Sequence, residues 1–283
     1  MSNLAIHLPS MAAPRLRALV SPREHGAWGL LLVPLFTGSV AGAAGAHWLS
    51  LFLFLTAALA LFWLRTPVES LLGTSPMRAQ NAAERGACLT ASAILAAMAA
   101  ACLSLLLRDG QNQALLVIGA VSAVAFVAQS VLKGISRSTR MASQLVGAIG
   151  LTATAPAAYC VLTGRFGAPA IGLWFANWIF SGNQIHFVQL RIHAARAANF
   201  AEKFAQGQTF FAGQFLMLGL IAAAAAVGLA PRLAVFVFIP ALLRGLAWFV
   251  ARPESLRVKA LGWSELRQGI LFGVLLGVAF LIG

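Results

Sequence analysis

Long apolar runs, each close to 20 residues and almost free of charge, recur along the whole chain and set what it can fold into. They lie near 26–45, 47–64, 86–107, 112–132, 142–163, 168–190, 208–229, 231–250 and 266–282. A helix rising 1.5 Å per residue needs roughly 20 such residues to cross a hydrocarbon core about 30 Å thick. Nine runs of this length predict an all-α, polytopic integral membrane protein of about nine transmembrane helices. The charge content agrees. Only 10% of residues are charged, 60% are hydrophobic and mean hydropathy is +0.85, whereas soluble domains carry about a quarter charged residues. Residues 1–25 read as a basic, proline-containing cytoplasmic arm, and 26–283 as a single transmembrane helical domain.

The net charge of +13 would point to nucleic acid in a soluble chain. Here the charge lies between the apolar runs, which makes it a matter of topology and anionic lipid contact, with no nucleic-acid partner. The N-terminal arm holds Arg15, Arg17 and Arg23. Arg65, Arg78 and Arg85 lie between the second and third runs, and Lys133, Arg137 and Arg140 between the fourth and fifth. Arg191, Arg196 and Lys203 fall between the sixth and seventh. Arg244, Arg252, Arg257, Lys259 and Arg267 fall around the eighth and ninth. The alternate connections hold only Arg108, Arg165 and Arg232, so 17 of the 20 basic residues lie on one side. Positive charge stays in the cytoplasm. This predicts a multi-pass protein of the inner (cytoplasmic) membrane, with a cytoplasmic N-terminus and a periplasmic or extracellular C-terminus.

The first run, followed by Ala41-Gly42-Ala43, has some features of a cleavable leader. Its length of about 20 residues exceeds an ordinary leader core, and Glu24 and His25 sit just before it, so it reads as the first span. Within it, Gly38 and Gly42 form a small-xxx-small pair that lets helix backbones approach closely. Pro34, Pro156 and Pro240 are expected to kink their helices, and Pro67 to end or bend the second. Cys88 and Cys102 are 14 residues apart on one run, or about 21 Å, too far for a disulfide. No Cys/His spacing implies a metal, and no motif implies a cofactor.

Ionisable groups inside a membrane are expensive and are functional candidates by default. Three clusters qualify. On the sixth run, His186, Gln189, His193 and Arg196 fall within one helical arc of about 80°, with Arg191 beside them. The two histidines are about 10 Å apart and cannot share one metal alone. The second cluster follows the second run and contains Arg65, Glu69 and Arg78. The third, Arg23-Glu24-His25, opens the first run. Arg244 also lies within an apolar run, close enough to the cytoplasm to snorkel. We expect the sixth-run stripe to line a cytoplasm-facing cavity with Arg65.

Several segments resemble the YwiC-like family of bacterial membrane proteins. The specific one is Pro22-Arg23-Glu24-His25-Gly26-Ala27-Trp28-Gly29 with Pro34 downstream. Supporting ones run from His186 to His193, Phe238 to Arg244 and Lys259 to Leu266. The resemblance implies a membrane protein and no particular activity. A weaker architectural resemblance is to the UbiA prenyltransferases. It implies a nine-helix bundle with sites after the second and sixth helices on the cytoplasmic side. Those enzymes hold a prenyl diphosphate through magnesium on Asp-rich motifs. This chain has one aspartate, Asp109, on the opposite side, and no acid before Glu202 at the second position. Magnesium prefers carboxylate oxygens, so Mg-dependent prenyl transfer is not expected.

Three readings follow. One is a binding or accessory protein that holds a lipid, quinone or isoprenoid, its anionic head on the arginines. Another is a metal-independent prenyl- or lipid-modifying enzyme. In it Arg65, Arg78 and Arg191 neutralise a leaving phosphate, and His186 or Glu24 serves as base. The last is a small-solute permease, for which the two halves show no clear sequence repeat.

Overall fold

The computed structural model describes residues 12–22, 25–75, 77–108, 110, 113–136, 139–197, 199–251 and 256–283. Among these there is no strand. The helices are α1 (Ala12–Val20), α2 (His25–Ala41), α3 (Trp48–Leu72), α4 (Ala82–Leu107), α5 (Ala114–Ile135), α6 (Arg140–Thr152), α7 (Thr154–Thr163), α8 (Ala168–His193), α9 (Phe200–Ala226), α10 (Ala234–Val237), α11 (Ile239–Val250) and α12 (Val258–Ile282). Each of the nine apolar runs falls on a helix or on a helix pair broken at one residue. Six stretches are long and apolar enough to cross a membrane: α3, α4, α5, α6 with α7, α9 and α12. Gly26–Ala41 and Ala234–Val250 are shorter apolar helices. The chain is a multi-pass, all-α membrane protein.

The broken pairs have a covalent cause. Pro156 has no N–H to offer the carbonyl four residues back, and the backbone turns at Ala153 between α6 and α7. Pro240 does the same at Phe238, between α10 and α11. The remaining two prolines leave their helices continuous. α3 runs on through Pro67 to Leu72, so this proline does not end the helix. In α2, Pro34 disturbs the local ladder, and hydroxyls supply donors nearby. Thr37 donates to the Pro34 carbonyl at 2.8 Å and Thr154, on α7, to the Leu31 carbonyl at 2.9 Å.

The fold divides into two compact units, Met1–His25 with Phe52–Asp109, and Gly26–Leu51 with Gly110–Gly283. In the first, α1 is tied down by side-chain bonds to α3 and α4. Arg15 pairs with Glu84 at 2.5 Å, Trp63 donates its indole N–H to Val20, and Ser70 donates to Leu19. Glu84 also accepts from the Gln80 N–H, while its own N–H is capped by Asn81. The N-terminal arm therefore contains a docked helix.

In the second unit, α8 packs against α6, α7, α9 and α12. A helix enclosed in this way can be polar, because its neighbours supply the partners. Asn177 donates to Thr37 of α2 and Asn183 to Gln214 of α9, while Trp174 and Trp178 donate to carbonyls of α6. The apolar core lies on either side of Phe180, which stacks on Phe272 at 3.8 Å between centroids. The small-residue face of α2 meets α7 as its spacing predicts. A Cβ on Gly38 would overlap the Ala155 carbonyl, and one on Gly42 would meet Leu162 at 3.1 Å.

Candidate functional site

Three helices bring together charges from distant parts of the sequence. Arg244 on α11 pairs with Glu265 on α12, and the two side chains are only 11% and 14% exposed. The Arg244 guanidinium lies 4.2 Å above the centroid of Phe187 on α8, a cation–π distance. Gln184, one turn earlier on α8, donates to the Glu265 backbone carbonyl at 2.9 Å. Arg191, one turn later, has its guanidinium 6.0 Å from the same Phe187 ring and is within electrostatic reach of Glu265. Gln184, Phe187 and Arg191 are spaced i, i+3, i+7 and so share one face of α8.

The pair is incompletely satisfied. Glu265 Oε1 accepts from Arg244 Nη1. Arg244 Nε, Arg244 Nη2 and Glu265 Oε2 are buried with no hydrogen-bond partner among the described residues. Each such atom costs about 1–3 kcal/mol, more when charged. Burying an ion pair is itself costly unless further hydrogen bonds fill the remaining positions. Three open positions on one pair are therefore expensive to keep for structure alone.

Arg244 was expected to be close enough to snorkel; it is held by Glu265 and Phe187 instead. The remaining residues of the predicted stripe on α8 meet different neighbours. His186 is half-buried, edge-on to Phe210 at 5.2 Å, with Nε2 3.5 Å from the Thr209 hydroxyl of α9. Gln189 donates to Gln144 of α6 at 3.1 Å. His193 is exposed and bonds the Gln189 carbonyl through Nδ1. Arg196 lies beyond the end of α8 and is exposed, so the helical arc does not extend to it. In the other unit, Arg65 donates to Glu69 one turn on at 3.0 Å, and Arg78 is exposed beside the Gly73 turn. Arg23, Glu24 and the His25 side chain lie outside the described residues.

Sequence reasoning did not single out Gln184, Phe187 or Glu265. The available signal was Glu265 itself, one of only seven acids in the chain, at the edge of an apolar run and matched by Arg244 within another. Among the described residues, no three His, Cys, Asp or Glu side chains come together as a metal would need.

Residues 21–159 match a family model described as YwiC-like protein, which bears out the resemblance carried by Pro22–Gly29. That stretch ends in α7, ahead of the helices that carry the Arg244–Glu265 cluster. Comparison with curated proteins and with solved structures returned no match.

Proposed function

We propose that this membrane protein binds a lipid, quinone or isoprenoid whose anionic head rests on the cluster of Arg244, Glu265 and Arg191, on the cytoplasmic side. The observation that carries this reading is the set of buried atoms on Arg244 and Glu265 that have no partner among the described residues. A buried polar atom left open is expensive, so a group that fills it gains binding energy. Two guanidinium groups against one carboxylate leave a local excess of one positive charge, which favours an anionic head. Apolar faces of the surrounding helices suit a hydrocarbon tail. Magnesium has no part in this scheme.

The test is native mass spectrometry of the purified chain after gentle detergent extraction. The expected result is a retained amphiphile in the wild type. It should be absent from a variant carrying Arg244→Leu together with Glu265→Leu, which removes the site while replacing the pair with apolar side chains. Equal retention by the two proteins would defeat the proposal.

The proposed orientation rests on the 17-to-3 distribution of basic residues. A phosphatase reporter fused after Gly283 should be active in a periplasmic compartment and inactive in the cytoplasm. One inserted at Arg137 should remain inactive where phosphatase needs export. Reversal at either point would overturn the orientation and place the arginine cluster on the other side.

A further inference from the structure

The open atoms on the Arg244–Glu265 pair define a head group more closely than charge alone. A guanidinium has an end and a side. Nη1 of Arg244 is committed to Glu265, while Nε and Nη2, both buried, have no partner among the described residues. Nε–H and the adjacent Nη2–H lie on the same edge and point in parallel. This is the edge that binds a carboxylate or phosphate through two hydrogen bonds. The edge is held in position: the guanidinium lies over the Phe187 ring, 4.2 Å from its centroid, and Glu265 holds its end. Glu265 is held in turn, because Gln184 anchors its backbone. The fourth element is Glu265 Oε2, a buried carboxylate oxygen with no donor among the described residues. An ionised carboxylate only accepts, so whatever fills that position must donate.

From this the geometry points to an oxyanion head with a hydrogen-bond donor next to it: a phosphate or carboxylate for the Arg244 edge, and a hydroxyl or ammonium for Glu265 Oε2. The inference rests on reading the cluster as a ligand site and narrows what that ligand is. A phosphodiester bearing a glycerol or ethanolamine satisfies both positions. A phosphodiester bearing choline satisfies only the first, because its methylated nitrogen has no N–H to donate. A quinone carbonyl alone offers neither the two oxygens nor the donor. The same head chemistry is available from a membrane phospholipid and from free phosphate, whose protonated oxygen is its own donor.

The experiment titrates the full-length, delipidated protein in detergent with phosphatidylglycerol, phosphatidylethanolamine and phosphatidylcholine of the same chain length, read by native mass spectrometry. The first two should bind at least about tenfold more tightly than the third, the scale of one charge-assisted hydrogen bond. Arg244→Lys keeps the cation for Glu265 and loses the two-donor edge. It should weaken phosphatidylglycerol by about tenfold while leaving the elution volume and helix content unchanged. Glu265→Gln should shrink the gap between phosphatidylglycerol and phosphatidylcholine. Competition by millimolar inorganic phosphate would assign the head chemistry to a soluble anion, and lack of competition with lipid bound would assign it to the lipid headgroup. If the wild type binds phosphatidylcholine as well as phosphatidylglycerol, the donor requirement is wrong, and this arm needs no variant to fold. Were Arg244→Lys folded and equal to wild type, the two-donor edge would be wrong. In either case, loss of all three lipids from the double leucine variant would leave the wider site proposal standing. If the double variant binds like wild type, both fall.

Discussion

Replacing Arg244 with leucine while Glu265 remains is expected to lower the stability of the purified protein by about 3–5 kcal/mol, the usual cost of stranding one charge of a buried pair. The side chains are 11% and 14% exposed, so water does little to compensate. Loss of the guanidinium removes the one side-chain bond to Glu265 Oε1 found among the described residues, and the cation–π contact with Phe187. Removing both charges, with Arg244→Leu and Glu265→Leu together, is expected to recover most of that loss. Apolar side chains of similar volume often replace buried ion pairs without net cost. The double variant should fall within about 1–2 kcal/mol of wild type, with a coupling energy of about 2 kcal/mol or more between the sites. Reversible unfolding by sodium dodecyl sulfate, followed by far-ultraviolet circular dichroism, gives all four corners of the cycle. Additive losses would mean that the pair is solvated, and the binding proposal would lose its physical basis.

What could be read in advance divides along the same physical lines. Hydropathy locates the helices because lipid demands apolar surface, and each predicted run falls on a helix. Hydropathy misplaces their ends, because a helix continues past the hydrocarbon wherever its backbone is capped. α4 begins at Ala82 instead of 86, since Asn81 accepts from the Glu84 N–H. α9 begins at Phe200 instead of 208, since Asn199 accepts from the Glu202 N–H. Both are Asn-x-x-Glu boxes, and both were visible as sequence. The candidate site was legible as a residue set and not as a geometry. Periodicity assigns His186, Gln189 and His193 to one face of α8, but α8 has neighbours on several faces. Gln184 bonds to α12, Gln189 to α6, and His186 lies against α9. Which polar face meets another charge depends on which helix packs there, and a single sequence does not contain that pairing. The YwiC-like stretch at residues 21–159 does not supply it either, since Phe187, Arg244 and Glu265 lie beyond it.

Lys203→Met is expected to cost about 2–4 kcal/mol, although by position Lys203 is one more basic residue in a polar connection. In the structure it lies on α9, 4% exposed, and works as the cap of another helix. Its ammonium donates to the Trp248 carbonyl at 3.1 Å and the Ala251 carbonyl at 2.6 Å, and lies 5.3 Å from the Trp248 ring centroid. Trp248 and Ala251 are at the end of α11, where the last carbonyls have no partner within the helix and the helix dipole favours a cation. Two charge-assisted bonds and one aromatic face thus offset the desolvation of the lysine, with no acid paired to it among the described residues. Methionine matches the stem in size and volume but leaves both carbonyls open in an apolar cluster of Phe187, Phe210, Trp248 and Phe249. Lys203→Gln keeps a neutral donor and should fall between the two. The stability order Lys, Gln, Met is read by unfolding in sodium dodecyl sulfate. Hydrogen exchange should show faster opening of residues 247–251 in the methionine variant than in the rest of α11. Arg244 lies one turn before Trp248 on that helix, so the loosened end should also weaken lipid retention. A methionine variant as stable as wild type, with unchanged exchange at 247–251, would mean that Lys203 is a passive surface charge and that α11 closes without it.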